Sequence, residues 1–315
     1  MKSSSALFPV ALMRAEVLSS NYIEDTYLLK PNNSPDLTAQ VALSRLGYSD
    51  QGKSTRGMPV ILIHGMYSNR SCWLDDSFSG FAIKLLEEGY DPWMLEFRGH
   101  GDSPINAQYD KNSIEVYSEY DLPAVQKFID EQTSMPAVWI GHGSGGVAIA
   151  TAIAGNSIDP LQIKGVGLFN VQVSNFPITY YLPVVRFIKK ILQGFKSIST
   201  DSRIGPEAEP KGMMKEKFRW SSLFSRWKST KGLSYWKGLQ SIDIPLIAFA
   251  GNKDSYNSVG SCKKLAKALS ESPELVILSK SNGFSKDFRY MDTIKGDDSQ
   301  KEVWPVLLKW IRSLN

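Results

Sequence analysis

Six apolar runs of strand length recur along this 315-residue chain, and what separates them limits the fold to one class. The first, MPVILIHG (58–65), is bounded by proline and too short for a helix. DPWMLEF (91–97), PAVWIG (136–141), IKGVGLFN (163–170), IPLIAFAG (244–251) and ELVILS (274–279) follow. Helical patterns lie between them. Residues 78–89 set Phe81, Ile83, Leu85 and Leu86 at helical spacing and stop at Gly89. Residues 114–133, 263–269 and the segment ending EVWPVLLKWIRSL read the same way, with Pro305 blurring the start of the last. GVAIATAIAG (146–155) is apolar on nearly every side, so it is a helix buried on most faces. Strand and helix in alternation mean an α/β fold, a mostly parallel, doubly wound sheet covered on both faces. Two earlier runs, 22–29 and 38–46, add strands joined by the turn KPNNSPD.

The rhythm breaks at 171–240, a basic, aromatic-rich and mostly helical pattern. It reads as an insertion at the carboxyl ends of the strands, where open α/β sheets bind ligands. The core is then 1–170 with 241–315, and 171–240 is a helical lid. That insertion holds 13 Lys+Arg against 4 Asp+Glu; taking its +9 from the chain's +4 leaves −5 on the rest. Such a segment either meets anions and anionic lipid or is a solvated helical face. Hydrophobic content of 42% allows a sizeable core. The two cysteines, Cys72 and Cys262, form no disulfide framework and no zinc spacing, which fits a reducing, cytoplasmic setting with no metal. Cys72 reads as an ordinary buried thiol. The short apolar run Ala6 to Met13 is broken by Arg14 and reads as no signal peptide, and no stretch approaches the ~18 apolar residues of a membrane span.

WIGHGSGG (139–146) joins a strand to the apolar helix and allows three readings. Gly141, Gly143 and Gly146 satisfy the dinucleotide pattern G-x-G-x-x-G. That pattern needs an acid at the end of the next strand, which here ends in Asn170, with Asp159 lying before the strand. The second reading is a nucleophile elbow, small-x-nucleophile-x-small, with Gly141 and Gly145 as the small positions and His142 between strand and turn. The nucleophile's place then falls on Gly143. The third reading shifts the register so that Ser144 attacks, which puts His142 where a tiny residue is needed.

Taken together, ILIHGMYSN (61–69), FRGHGDS (97–103), GHGSGG (141–146) and FAGNKD (249–254) resemble the α/β-hydrolase superfamily, in its lipase and esterase-like branch with a helical lid. The resemblance spans roughly residues 22–314 and implies that fold. It also implies an oxyanion hole of backbone N–H groups, here Met66 and Ser144, and a triad acid at Asp254. His64, Gly65, Gly141, His142 and Gly145 fall on structural positions of its motifs. Two triad members are missing. Gly143 stands at the nucleophile position, and the loop SKSNGFSKDFRYMDTIKGDD (279–298) holds no histidine, since His64, His100 and His142 all precede residue 143. Tyr290 best matches the vacated histidine place, and Phe284 is second.

A serine triad works because imidazole titrates near neutrality and takes the serine proton, and losing any member costs several powers of ten in rate. The expectation is therefore a non-hydrolytic binder of a hydrophobic or acyl-bearing small molecule, or of a partner, without a cofactor and without nucleic acid. The alternative is a hydrolase of carboxylic esters or lipids that uses Ser144. The aromatic and basic stretches SNFPITYYLPVVRFIKKILQGF and FRWSSLFSRWKSTKGLSYWKGL suit an acyl chain or peripheral contact with an anionic membrane, or else simply pack the lid on the body.

Overall fold

The computed structural model describes residues 8–19, 21–49, 57–75, 77, 79–174, 198–221, 226–240 and 242–314. Its strands are β1 (Val10–Val17), β2 (Tyr22–Leu29), β3 (Val41–Tyr48), β4 (Pro59–Ile63), β5 (Asp91–Glu96), β6 (Ala137–His142), β7 (Ile163–Phe169), β8 (Ile198–Thr200), β9 (Ala208–Pro210), β10 (Leu246–Gly251) and β11 (Glu274–Leu278). Nine of these described strands form one sheet in the order β1-β2-β3-β5-β4-β6-β7-β10-β11. Pairing is antiparallel from β1 through β2 and β3 to β5, and parallel from β5 onward. The mostly parallel, doubly wound class is therefore the observed one.

The period of two along each strand divides the core between the two faces. Ile61, Ile63, Trp93 and Trp139 point to one side, where they meet Leu122, Val125 and Phe128 of α2 (Leu122–Thr133) and the apolar α3 (Ser144–Ala154). Val60, Leu62, Met94 and Ile140 point to the other, against α1 (Phe81–Glu87) and Leu307, Trp310 and Ile311 of the C-terminal helix. Strands β4, β6, β7 and β10 are buried along almost their whole length, which is why they read as continuous apolar runs rather than alternating ones.

Between β7 and β10 the chain leaves the sheet. Its described part carries the antiparallel pair β8/β9, the helix α4 (Lys211–Trp220) and a helical turn, Tyr235–Gly238, so the mostly helical pattern is interrupted by a small β hairpin. Most of SNFPITYYLPVVRFIKKILQGF lies outside the described residues. Two further helices, α5 (Val259–Leu269) and α6 (Trp304–Ser313), complete the frame. Pro305 falls in the first turn of α6, where a missing N–H costs nothing, and a π-helical turn, Ser299–Val303, leads into it. No helix among the described residues is long and apolar enough to cross a membrane.

One local reading is corrected. The second early strand starts at Val41 rather than 38, because the Asp36 carboxylate takes the Thr38 N–H (3.0 Å) and hydroxyl (2.6 Å) and holds that stretch in a turn. The run broken by Arg14 is the edge strand β1, whose register shifts between Leu12 and Arg14 and whose Arg14 guanidinium reaches Asp102 at 2.7 Å.

A buried ion pair reinforces the seam between the antiparallel half and the parallel half. Arg45 of β3 donates to Asp91 of β5 through Nε (2.8 Å) and Nη2 (2.6 Å), Trp93 Nε1 donates to the same carboxylate (3.0 Å), and the guanidinium lies 4.5 Å from the Trp93 ring centroid. Asp91→Ala should cost about 3–5 kcal/mol in urea unfolding, because it leaves a buried guanidinium unpaired. The double change Arg45→Met with Asp91→Leu should cost less than that single one; a larger loss in the double variant contradicts this account.

Candidate active site

The carboxyl ends of β4, β6, β7 and β10 meet where the sheet is most deeply buried. At the end of β6 the chain turns sharply into α3 through Gly143, with φ 48° and ψ −116°, a region that L side chains rarely adopt. The turn is pinned by the Gly143 N–H donating to the Phe169 carbonyl (2.9 Å) and by the Val147 N–H donating to the Gly143 carbonyl (3.1 Å). Its neighbour is small for a steric reason: a Cβ on Gly145 would stand 2.5 Å from the His64 carbonyl oxygen and 2.6 Å from that of Ile63. Ser144, half-buried, is the first residue of α3, and its hydroxyl makes no hydrogen bond among the described residues.

Tyr290 reaches this turn from the loop after β11. Its carbonyl accepts hydrogen bonds from His142 Nε2 (3.1 Å), Asn170 Nδ2 (2.9 Å) and Thr293 Oγ1 (3.0 Å). Its ring packs 4.1 Å from that of His142 and 5.6 Å from that of Tyr256. The hydroxyl lies 1.8 Å from where a Cβ on Gly143 would stand and 2.6 Å from the same point on Gly65. Only 8% of Tyr290 is exposed, and burial, reinforced by the nearby Asp254 carboxyl, raises its pKa well above the ordinary value, so the phenol keeps its proton. Phe284, the other candidate for this place, packs instead on Phe288 (5.9 Å) and does not line the cavity described below.

The three histidines are occupied elsewhere. The Phe97 N–H donates to His64 Nε2 (3.2 Å), so the proton sits on Nδ1, which donates to the Gly65 carbonyl (2.8 Å); burial depresses this pKa to about 3. His142 donates through Nε2 to Tyr290, its Nδ1 has no partner among the described residues, and burial lowers its pKa to about 4. Burial opposes a charge on His100, but Glu209, 3.3 Å from Nε2, and Glu207 raise its pKa. None of the three hydrogen-bonds to Ser144. Asp254 is partly buried, which raises its pKa, and its carboxylate accepts from the Tyr256 N–H (2.7 Å), the Asn257 N–H (3.2 Å) and Asn257 Nδ2 (3.0 Å), with no imidazole. Cys72 is a free, buried thiol pushed up to about 12 by that burial. Among the described residues no three His, Cys, Asp or Glu side chains come together to hold a metal ion.

A cavity of about 300 Å³ opens at the elbow. Gly143, Ser144, Tyr290 and Met66 are part of its lining, together with the apolar Val147, Val173, Met213 and Trp220. The Met66 and Ser144 N–H groups make no hydrogen bond among the described residues. Asp254 is not part of the lining, although Ser255, Tyr256 and Asn257 beside it are.

Sequence reasoning missed the groups that hold this arrangement. Asn170, where a ribose-binding acid would stand, is wholly buried and spans the Tyr290 carbonyl, Thr293 Oγ1 (2.8 Å) and the Gly251 N–H (2.8 Å). Asp159 only caps the nearby N–H of Leu161 (2.9 Å). Glu209 accepts the Tyr67 N–H at 2.6 Å, just after Met66, and Glu216 accepts the N–H groups of Ile114 (2.7 Å) and Glu115 (3.1 Å). Burial pushes the Glu216 carboxyl up to about 7. No local pattern marks either glutamate, because their partners lie between 101 and 142 residues away in the chain.

Known proteins share this frame. The profile described as "Alpha/beta hydrolase family" matches residues 60–252. Human gastric triacylglycerol lipase is 28% identical over 131 residues, 39% of this chain and 30% of its own length. Human lipase member K is 27% identical over 161 residues, 46% of this chain and 40% of its own. The match thus spans less than half the length of these curated relatives. Among solved structures, a thermophilic esterase from Thermogutta terrifontis aligns with a TM-score of 0.59 at 16% identity, covering 91% of this chain and 98% of that one. The esterase domain of a Rhodothermus marinus protein aligns with a TM-score of 0.57 at 17% identity, covering 93% and 99%.

The neutral state of His142 sets a pH dependence. With its pKa lowered from 6.5 to about 4, it contributes stability that is full above pH 6.5 and is lost as pH falls towards 4. His142→Gln keeps a donor for the Tyr290 carbonyl but takes up no proton. The difference in urea midpoint between the two proteins should be constant above about pH 6.5 and shift in the variant's favour below it. A difference that stays constant down to about pH 4 would show that His142 is not the group responsible.

Proposed function

The chain belongs to the alpha/beta hydrolase family, and from that premise we propose that it is a non-hydrolytic member, binding a hydrophobic or acyl-bearing small molecule in the cavity at its elbow. One observation carries this reading: the Tyr290 hydroxyl fills the space that a nucleophile's side chain would need, 1.8 Å from a Cβ on Gly143. Acyl transfer needs an attacking atom, a base beside it and donors for the oxyanion. The donors have candidates in Met66 and Ser144. The other two parts do not, since the three histidines are held by other groups and a tyrosine kept protonated is no base. Hydrolysis through Ser144 would need a base that reaches its hydroxyl, and no imidazole hydrogen-bonds to it.

The segment between β7 and β10 supports a second contact. Within residues 171–240 of it the four acids, Asp201, Glu207, Glu209 and Glu216, are all at least partly buried, whereas the exposed charged side chains described there, such as Arg203, Lys215, Arg226 and Lys237, are basic. That distribution suits peripheral association with an anionic membrane surface. Vesicles containing phosphatidylserine should cosediment with the protein at low salt and release it at high salt. Equal binding to neutral vesicles counts against the electrostatic part.

The hydrolytic question has a direct test. The protein should turn over no short-chain acyl ester and take no label from a fluorophosphonate. Gly143→Ser alone should gain nothing, because the new side chain meets Tyr290; Gly143→Ser together with Tyr290→His should gain measurable turnover. Wild-type turnover that Ser144→Ala abolishes would replace this reading with that of a working serine hydrolase.

A further inference from the structure

We propose that the part of the cavity at the elbow is a carboxylate site. The Met66 and Ser144 N–H groups and the Tyr290 hydroxyl would together hold the head of a free, single-chain acid, whose chain lies along Val147, Val173, Met213 and Trp220. The inference rests on the binding role proposed above and adds the chemical class of the ligand. Tyr290 is more than nine-tenths buried, lines the cavity, and its hydroxyl hydrogen-bonds to nothing among the described residues. That hydroxyl lies beside Gly143 and Gly65 at once, and the residues that follow them, Ser144 and Met66, carry the unused N–H groups. Ser144 also opens the 11-residue α3, whose dipole favours a negative charge at that end. These donors outnumber the unpartnered acceptor beside them, His142 Nδ1, and a charged acceptor from a ligand makes the stronger bonds.

The charges of the lining agree. Asp201 is held by Arg203 through Nε (2.8 Å) and Nη2 (2.7 Å). Glu216 accepts two backbone N–H groups and lies 3.4 Å from Arg219. Lys217 is the lining charge with no ion-pair partner among the described residues. The two acids of the lining are therefore already engaged, and Lys217, whose opposing charge is Glu209 outside the lining, is the cation of the lining. A cavity of about 300 Å³ is at the low end for small-molecule sites, which suits one acyl chain better than a triacylglycerol.

Calorimetric titration of the full chain with decanoate, methyl decanoate and decanol tests the proposal. Decanoate should bind about tenfold more tightly than the ester and the alcohol. Tyr290→Phe, which removes one hydroxyl and keeps the ring, should weaken decanoate more than the ester and so abolish that preference. Lys217→Met should weaken decanoate alone. Equal affinity for all three ligands, or a preference for the acid that Tyr290→Phe leaves intact, overturns the carboxylate site while the acyl-binding role stands. Binding of none of them, with circular dichroism showing a folded protein, overturns both. Hydrolysis of the ester overturns the non-hydrolytic role.

Discussion

At the elbow, two groups compete for one volume. A side chain at residue 143 and the hydroxyl of Tyr290 cannot share their present positions, because their atoms would stand 1.8 Å apart and one of them must shift. Glycine at 143 and tyrosine at 290 are thus two halves of one steric fact. The glycine also suits its own backbone, whose φ of 48° penalises any other residue. Once the hydroxyl occupies this place, the cavity is lined at the elbow by hydrogen-bond donors rather than by a reacting pair, and the proposed function follows from that exchange.

The position of the hydroxyl is fixed from behind. Its residue's carbonyl gathers three donors, from His142, Asn170 and Thr293, each rooted in a different part of the chain. Buried polar groups of this kind are costly to leave unpaired, so the loop after β11 is tied to the ends of β6 and β7. The same logic makes His142 a structural donor: burial keeps the ring neutral, and its Nε2 proton goes to the Tyr290 carbonyl. Glu209 and Glu216 work similarly, each satisfying N–H groups of the body from the segment between β7 and β10. Within residues 171–240 the carboxylates are at least partly buried, while Arg203, Lys215, Arg226 and Lys237 are exposed.

Much of the frame was legible before any coordinates. Runs such as VILI and AVWIG are buried on both sides, and only central parallel strands demand apolar residues at every position. The turn at Gly143 was legible because its glycines answer a close approach of backbones that no other residue tolerates. Strand β1 was not, since its side chains are largely exposed and its pairing with β2 leaves no apolar pattern. The start of β3 was misplaced because a single carboxylate, Asp36, overrides the local strand tendency. Tyr290 could be matched to a vacated position, but what its hydroxyl touches could not be read.

Local order in the chain determined the alternation of strand and helix, the α/β class and the elbow, because each depends on periodicity or on backbone freedom within a few neighbouring residues. Tertiary structure alone decided that residue 290 fills the space of residue 143, that His142 and Asn170 hold it there, and that two distant glutamates fasten the segment between β7 and β10. Those contacts join residues far apart along the chain, and their energy depends on distances that only the closed fold creates.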